Sequence, residues 1–562
     1  MKKINTLILL IITLSCNTIA QDRQFTKEQW IEDLEFAVKN LKSNHPHIYY
    51  KVTEHAFNEE VSIAKNSIAT SKNDLEAFYA IKKVVAMIQD GHTQLFDRGS
   101  LGIESLRYPF RADQFSDGVF ITVIDKQYER FLGAKILQID GKSINEVLKK
   151  ISQYVNIDND FGKIRPNTQS LTFAKTLFGL GITNSDKNIN IDLITREGDK
   201  EILQLKSRED KSPILWSNRI NQAPTKGAFV NASTLLNKKT PLHIQLQEDS
   251  TVLFYWFEHL KEEKAIYFQY NQVWATQPNA DETWKQFTKR IWQYIDEHDI
   301  EKLIIDVRYN DGGNGRTMIP FINEIIKRER FCNKKNLFVL SGNRTYSASV
   351  IFMTELAVHT NAIFIGTPPS SPFNFFSDMN IVGNLPNSNA GLGIASRQID
   401  NAWSNQTVYF APDIPAPMSS LDYFSGNDPA LDIALNEFGV KTIADVAAEE
   451  GAKAAFKYYH QLKAKYAGID WWTGFNPETF ENIINAEGYT FLGKQESEQA
   501  FEIFKLNTLI FAESANVWDS FAEWHFNMKK YEQAVTYYKK SLELNPENTN
   551  AKNMIKQIEN EK

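Results

Sequence analysis

Two short apolar runs, Leu-Ile-Ile-Asp-Val at 303–307 and Asn-Leu-Phe-Val-Leu at 336–340, constrain this chain more than anything else in it. Each is bounded by turn residues and apolar almost throughout, as strands covered on both faces are; a strand with one wet face would alternate. Between them, 317–327 has the spacing of an amphipathic helix. Parallel strands need such a crossover, so the stretch reads as a β-α-β unit. Asn310, Gly312, Gly313 and Gly315 follow the first strand, and Arg344-Thr345-Tyr346-Ser347-Ala348-Ser349 follows the second and opens another helix. Ligand and reaction sites lie at such strand ends.

A serine hydroxyl at a helix N-terminus, beside glycines whose N–H groups can approach a substrate closely, joins a nucleophile to donors for a tetrahedral oxyanion. Ser347 is the candidate nucleophile, with Ser349 next. A plainer reading fits the same residues, since serine is an ordinary helix cap and Asn-x-Gly-Gly an ordinary turn.

Further motifs follow in order. Ile-Ile-Asp-Val-Arg-Tyr-Asn-Asp-Gly-Gly (304–313), Thr-Tyr-Ser-Ala-Ser (345–349), Ile-Phe-Ile-Gly (363–366), Phe-Asn-Phe-Phe-Ser-Asp (373–378), Leu-Pro-Asn-Ser (385–388) and Ala-Pro-Asp-Ile-Pro (411–415) span much of the chain. Together they resemble the carboxy-terminal processing (tail-specific) serine peptidases and the tricorn core, over roughly residues 26 to 440. The resemblance implies an α/β, crotonase-like (ClpP/crotonase-type) catalytic core with Ser347 as nucleophile. It also implies oxyanion donors at Ala348 and at Gly312 or Gly313, peptide or protein substrates, and neither cofactor nor metal.

Residues 1–20 read as a signal peptide: Lys2 and Lys3, an apolar run at 4–14 too short to span a bilayer, and Thr18-Ile19-Ala20 before a cleavage point. Lipid attachment through Cys16 is the alternative, although 13–15 fit a lipobox poorly. Periplasmic or secreted location is therefore expected, and cleavage after Ala20 leaves Cys332 as the only thiol, so no intramolecular disulfide can form. A net charge of −7 offers no basic field for phosphates, which disfavours nucleic acid as a partner. No later run reaches membrane-spanning length, so the mature chain is expected to have no transmembrane segment.

An N-terminal helical domain is expected over 21–98. Its first helix starts at a capping box, Thr26 with Gln29, and a second, at 73–89, stops at Asp90-Gly91, where Gly91 suits a left-handed cap. The pair in Asn44-His45-Pro46-His47 lacks further ligands at metal-site spacing. His92 follows Gly91, and a lone histidine after a buried helix is usually structural or merely exposed. In the tricorn-like branch an equivalent histidine supplies the general base, so the resemblance gives His92 that role. Segment 99–207 looks like a PDZ module with a helical insertion near 147–182 and no carboxylate-binding loop. The α/β core is expected over 208–440, with strands at 252–257, 265–270, 303–307, 336–340 and 362–366. A helical tail, 441–562, repeats Gly488, Ala500 and Phe504 as Ala522, Ala534 and Tyr538, the tetratricopeptide period, giving repeats at about 481–514 and 515–548 and a surface for a protein partner.

Two departures from the family pattern stand out. The processing-protease branch carries its lysine base in the loop after the fourth core strand, where Pro372 stands here. The tricorn-like branch has a supporting carboxylate before Ala411-Pro412-Asp413; here 404–407 read Ser-Asn-Gln-Thr, leaving Gln406 or Asp378 as the supporting residue. An exported serine endopeptidase using Ser347 and His92 is the expected function. The alternative is an inactive peptide-binding or assembly protein that keeps the scaffold.

Overall fold

The computed structural model describes residues 24–210, 228–231, 242, 253–277, 281–333, 335–402, 407–436 and 441–561. The expected leader with Cys16, and Gln406, lie outside the described residues.

Three helices open the fold: α1 (Lys27–Asn44), α2 (Glu54–Thr70) and α3 (Asp74–Ala86). Thr26 and Gln29 form the expected capping box, and Trp30, Leu34, Ala37 and Leu41 are fully buried on one face of α1. The end of α3 differs from expectation. It stops at Ala86 with Met87 as its cap, and the positive φ of the following turn, +54°, falls on Gln89 and not on Gly91. Strand β1 (Gln94–Phe96) comes directly after this turn.

An all-antiparallel sheet of seven strands follows, among them β2 (Phe110–Phe115), β3 (Gly118–Asp125), β4 (Lys135–Ile139), β5 (Asn188–Ile194) and β6 (Lys200–Lys206). Helical turns between Ile144 and Gly179 interrupt it. Its last member, β7 (Phe229–Asn231), pairs with β3, so the sheet draws in residues beyond the boundary expected at 207.

The second sheet has six strands: β8 (Tyr255–Leu260), β9 (Ala265–Tyr270), β10 (Lys302–Asp306), β11 (Leu337–Ser341), β12 (Ile363–Gly366) and the short Ile414–Pro415. Only β8 runs antiparallel to its neighbour. Leu303, Ile304, Ile305 and Leu337 to Leu340 have no exposed surface, because helices cover both faces. Each such side chain contributes roughly 1.5–3 kcal/mol of burial. Helix α4 (Trp284–Glu297) leads into β10, α5 (Ile319–Ile326) crosses from β10 to β11, and α6 (Ala348–His359) from β11 to β12, so the strand ends carrying Asn310 and Ser347 lie side by side.

A third sheet was not expected from the sequence. The hairpin β13 (Asn374–Asn384) and β14 (Gly391–Asp400) leaves the core, and β14 pairs with β1 through Gln94↔Gly393, Leu95↔Leu392 and Phe96↔Gly391. This pairing anchors the N-terminal helices, and the turn before β1, against the core.

Helices α7 (Ile443–Glu450) and α8 (Ala452–Lys465) precede the antiparallel pairs α9 (Pro477–Gly493) with α10 (Ser497–Ile510) and α11 (Ala515–Asn527) with α12 (Tyr531–Leu544). Phe480, Ile484, Ile503 and Leu506 share one apolar cluster with Ile443, Ala447, Leu462 and the core residues Phe338 and Ile365. Among the described residues no helix is long and apolar enough to cross a membrane.

Candidate active site

The site is built on the turn between β11 and α6. Tyr346 N–H donates to the Asn310 carbonyl at 2.9 Å, Thr345 Oγ1 to the Val307 carbonyl at 2.8 Å, and both Ser370 N–H and Ser370 Oγ to the Thr345 carbonyl at 3.0 Å. Held this way, Ser347 adopts φ +56° and ψ −125°, a region disfavoured for any residue with a Cβ, and its side chain makes no capping bond to α6. The hydroxyl is thereby freed from the cap role open to it in the sequence.

It meets His92. The Nε2 atom of His92 lies 2.9 Å from Ser347 Oγ, across 255 residues of sequence. On the other side of the ring, Nδ1 lies 2.8 Å from the hydroxyl of Tyr346, whose own ring stacks on the imidazole at 4.7 Å and 16°. Phe375, in β13, stacks on His92 at 5.8 Å and 17°. The imidazole is thus flanked by two aromatic rings and bonded at both nitrogens.

Two buried carboxylates support the turn without touching the ring. Asp90 accepts from the His92 N–H at 2.8 Å, from Thr93 Oγ1 at 2.5 Å, and faces His45 Nε2 at 3.2 Å. Burial alone would raise its carboxyl, but the bonds from His45, Thr93 and the His92 N–H hold it below the usual range. Asp158 accepts from the Gly91 N–H at 2.9 Å and from Ser371 Oγ at 2.6 Å. Burial, then the charge of Asp90, pushes its carboxyl up, against the opposing influence of His92, Lys51 and Ser371. The Tyr346 hydroxyl is pushed well above its ordinary value by burial, then by the charges of Asp158 and Asp90, so it stays neutral.

The other sequence candidates divide. Gly312 stands where a Cβ would come within 2.8 Å of Ser347 Cβ and 3.0 Å of Ala348 N, so only glycine admits this approach. Its N–H, however, donates to Asn310 Oδ1 at 2.9 Å, which takes it out of the donor set; the N–H of Ala348, first in α6, and that of Gly313 remain. Asp378 is not brought in: its carboxylate pairs with Arg397 Nε at 2.7 Å on an exposed face of the hairpin. Ser349 is fully buried, and its Oγ has no hydrogen-bond partner among the described residues. The loop holding Pro372 serves as a brace through Ser370 and Ser371. Sequence reasoning missed Tyr346, Asp90, Asp158 and Ser371 as parts of the site. Tyr346 and Asp90 at least adjoin the motif serine and histidine, whereas Asp158 and Ser371 have no local signal.

A cavity of about 300 Å³ opens near the C-terminal ends of β10, β11 and β12, lined by Phe161, Arg165, Tyr309, Asn343, Arg344 and Trp471 among others. Its guanidinium groups have carboxylate partners: Arg344 pairs with Asp113 at 2.7 Å, a carboxylate that Arg111 shares, and Arg165 pairs with Asp311. Among the described residues no group of three or more His, Cys, Asp or Glu side chains could hold a metal ion.

No family model and no curated protein matches this chain. Solved structures do. Mature CPAF in complex with lactacystin superposes with a TM-score of 0.50 at 14% identity, covering 73% of this chain and 99% of that one. A second structure of mature CPAF gives the same TM-score and identity over 74% and 98%. A weaker superposition, TM-score 0.32 at 12% identity over 72% and 99%, relates it to the photosystem II D1 C-terminal processing protease. At these identities, what the chain shares with CPAF is its fold.

Proposed function

We propose, from the CPAF-like fold as premise, that this chain is a serine endopeptidase in which Ser347 attacks the peptide carbonyl and His92 is the general base. The observation that carries this reading is the 2.9 Å contact between His92 Nε2 and a serine held at φ +56°. Strain of that kind persists only where surrounding bonds enforce it, and it aims the hydroxyl away from its own helix.

Ser347 Oγ bonds to the carbonyl carbon as its proton passes to Nε2, and the carbonyl oxygen becomes an oxyanion facing the N–H groups of Ala348 and Gly313. Collapse breaks the C–N bond, with the Nε2 proton going to the leaving amine. Water, deprotonated by His92, then releases the acid and returns the proton to Ser347. No lysine is needed. The six-stranded sheet with its crossover helices supports a crotonase-like core, and the antiparallel sheet after β1 supports a PDZ-like module. The helix pairs α9 to α12, at 34-residue spacing, support tetratricopeptide repeats that offer a protein partner a surface.

Export belongs to the same reading and rests on residues 1–20; a mature N-terminus at Gln21 in secreted or periplasmic material tests it. Activity is tested by a fluorophosphonate probe, which reacts only with an activated serine. Labelling at Ser347 that is lost in Ser347→Ala is expected. An unlabelled wild type would leave a peptide-binding scaffold.

A further inference from the structure

The proposed mechanism needs one tautomer of His92, with the proton on Nδ1 and a lone pair on Nε2 toward Ser347. Among the described residues no carboxylate is in contact with Nδ1; the group there is the Tyr346 hydroxyl, at 2.8 Å. A phenol both donates and accepts, so by itself it permits either tautomer. Its surroundings break the tie. Asp158 Oδ2 and the Tyr346 hydroxyl both crowd Gly91, where a Cβ would stand 3.2 Å from the one and 2.7 Å from the other, so a buried carboxylate neighbours the phenol on the side away from Ser347. A negative group at that place favours the phenolic proton on its own side, which leaves the oxygen lone pair for an Nδ1–H donor.

We propose that Tyr346 is the positioning residue of a Ser347–His92–Tyr346 arrangement, with its neutral hydroxyl taking the place of the usual carboxylate and holding His92 in the Nδ1–H tautomer. This rests on the peptidase reading for its catalytic meaning, but the proton's position does not. Tyr346 is itself held in place, with its ring stacked on His92 and its N–H bonded to the Asn310 carbonyl. A carboxylate in direct contact would stabilise imidazolium by full charge. Here the anionic charge stands one layer back, in Asp90 and Asp158, which hold the backbone of the His92 turn while the tyrosine holds its side chain.

The test uses the full chain with Tyr346→Phe, which keeps the stacked ring and deletes only the hydroxyl. Nitrogen-15 NMR of the His92 imidazole, which needs no substrate, is expected to read the Nδ1–H form in the wild type and a shift toward Nε2–H in the variant. Labelling by a fluorophosphonate, in which Ser347 Oγ displaces fluoride at phosphorus and its proton passes to His92, is expected to slow by about 10–100-fold in Tyr346→Phe. A wild-type ring found as Nε2–H overturns the proposal whether or not the protein labels. So does a variant whose tautomer and labelling rate both match the wild type. A wild type that holds the Nδ1–H form yet never labels removes the peptidase reading and leaves the tautomer assignment standing.

Discussion

Gly91 and Tyr346 meet so closely that a Cβ on Gly91 would lie 2.7 Å from the tyrosine hydroxyl oxygen and 3.2 Å from Asp158 Oδ2. A glycine here is required by what packs on it, not by its φ. Gly91→Ala should push Tyr346 off His92, because neither the stacked ring nor the buried carboxylate can yield cheaply. A stability loss of about 1–3 kcal/mol is expected, along with a loss of serine reactivity of at least the size seen in Tyr346→Phe. Denaturant midpoints and probe labelling check both; an alanine variant that labels at the wild-type rate would refute the packing account.

Ser347 offers a stability test that is independent of substrate. Because its side chain makes no cap bond, Ser347→Ala should abolish labelling and proteolysis while moving stability by less than about 1 kcal/mol. Ser347→Gly should be more stable than the alanine variant by about 1 kcal/mol, since glycine adopts a positive φ without strain. Equal urea midpoints for the two variants would mean the turn is not strained.

His92→Gln should lower kcat by about 10²–10⁴-fold with KM little changed, because the ring is asked to move a proton and not to bind substrate. Any peptide substrate found by screening suffices for the measurement. A variant retaining wild-type kcat would transfer the base role elsewhere.

The buried carboxylates give stability a pH dependence of known sign. Asp158 has a folded pKa raised above its unfolded value, so the native state binds more protons within that window and stability falls as pH rises through it, from about 4 upward. Asp90 is lowered, so its contribution is present above about pH 4 and is lost as pH falls through its folded value. Asp158→Asn keeps an acceptor for the Gly91 N–H and removes the ionisation. Unfolding midpoints measured from pH 4 to 8 should decline less in the variant than in the wild type; parallel curves would show that Asp158 ionises freely.

The tail is expected to be structural for the core, since it shares an apolar cluster with it. Deleting residues from Phe480 onward uncovers the apolar cluster around Ile443, Ala447 and Leu462, so the truncated protein should aggregate or melt lower. Undiminished thermal stability in a monomeric truncation would make the tail an independent appendage.

The sequence by itself determined the local elements and the neighbourhood of Ser347. Buried strands at 303–307 and 336–340, the capping box at Thr26, the 34-residue period of the tail and the pairing of Ser347 with nearby glycines all follow from periodicity and short-range steric rules, which act within a few residues. Tertiary structure alone decided what completes the site. The three-residue strand β1 carries too little pattern to be read, yet its pairing with β14 brings His92 to Ser347. Tyr346 lies beside the serine in sequence, but its hydroxyl becomes a partner of Nδ1 only because that pairing sets the imidazole under it. Asp378, plausible by motif, turns outward to Arg397, and Asp158 arrives from an insertion with no motif at all. Contacts between residues hundreds apart are set by how sheets pack, and packing leaves no mark at fixed spacing in the chain.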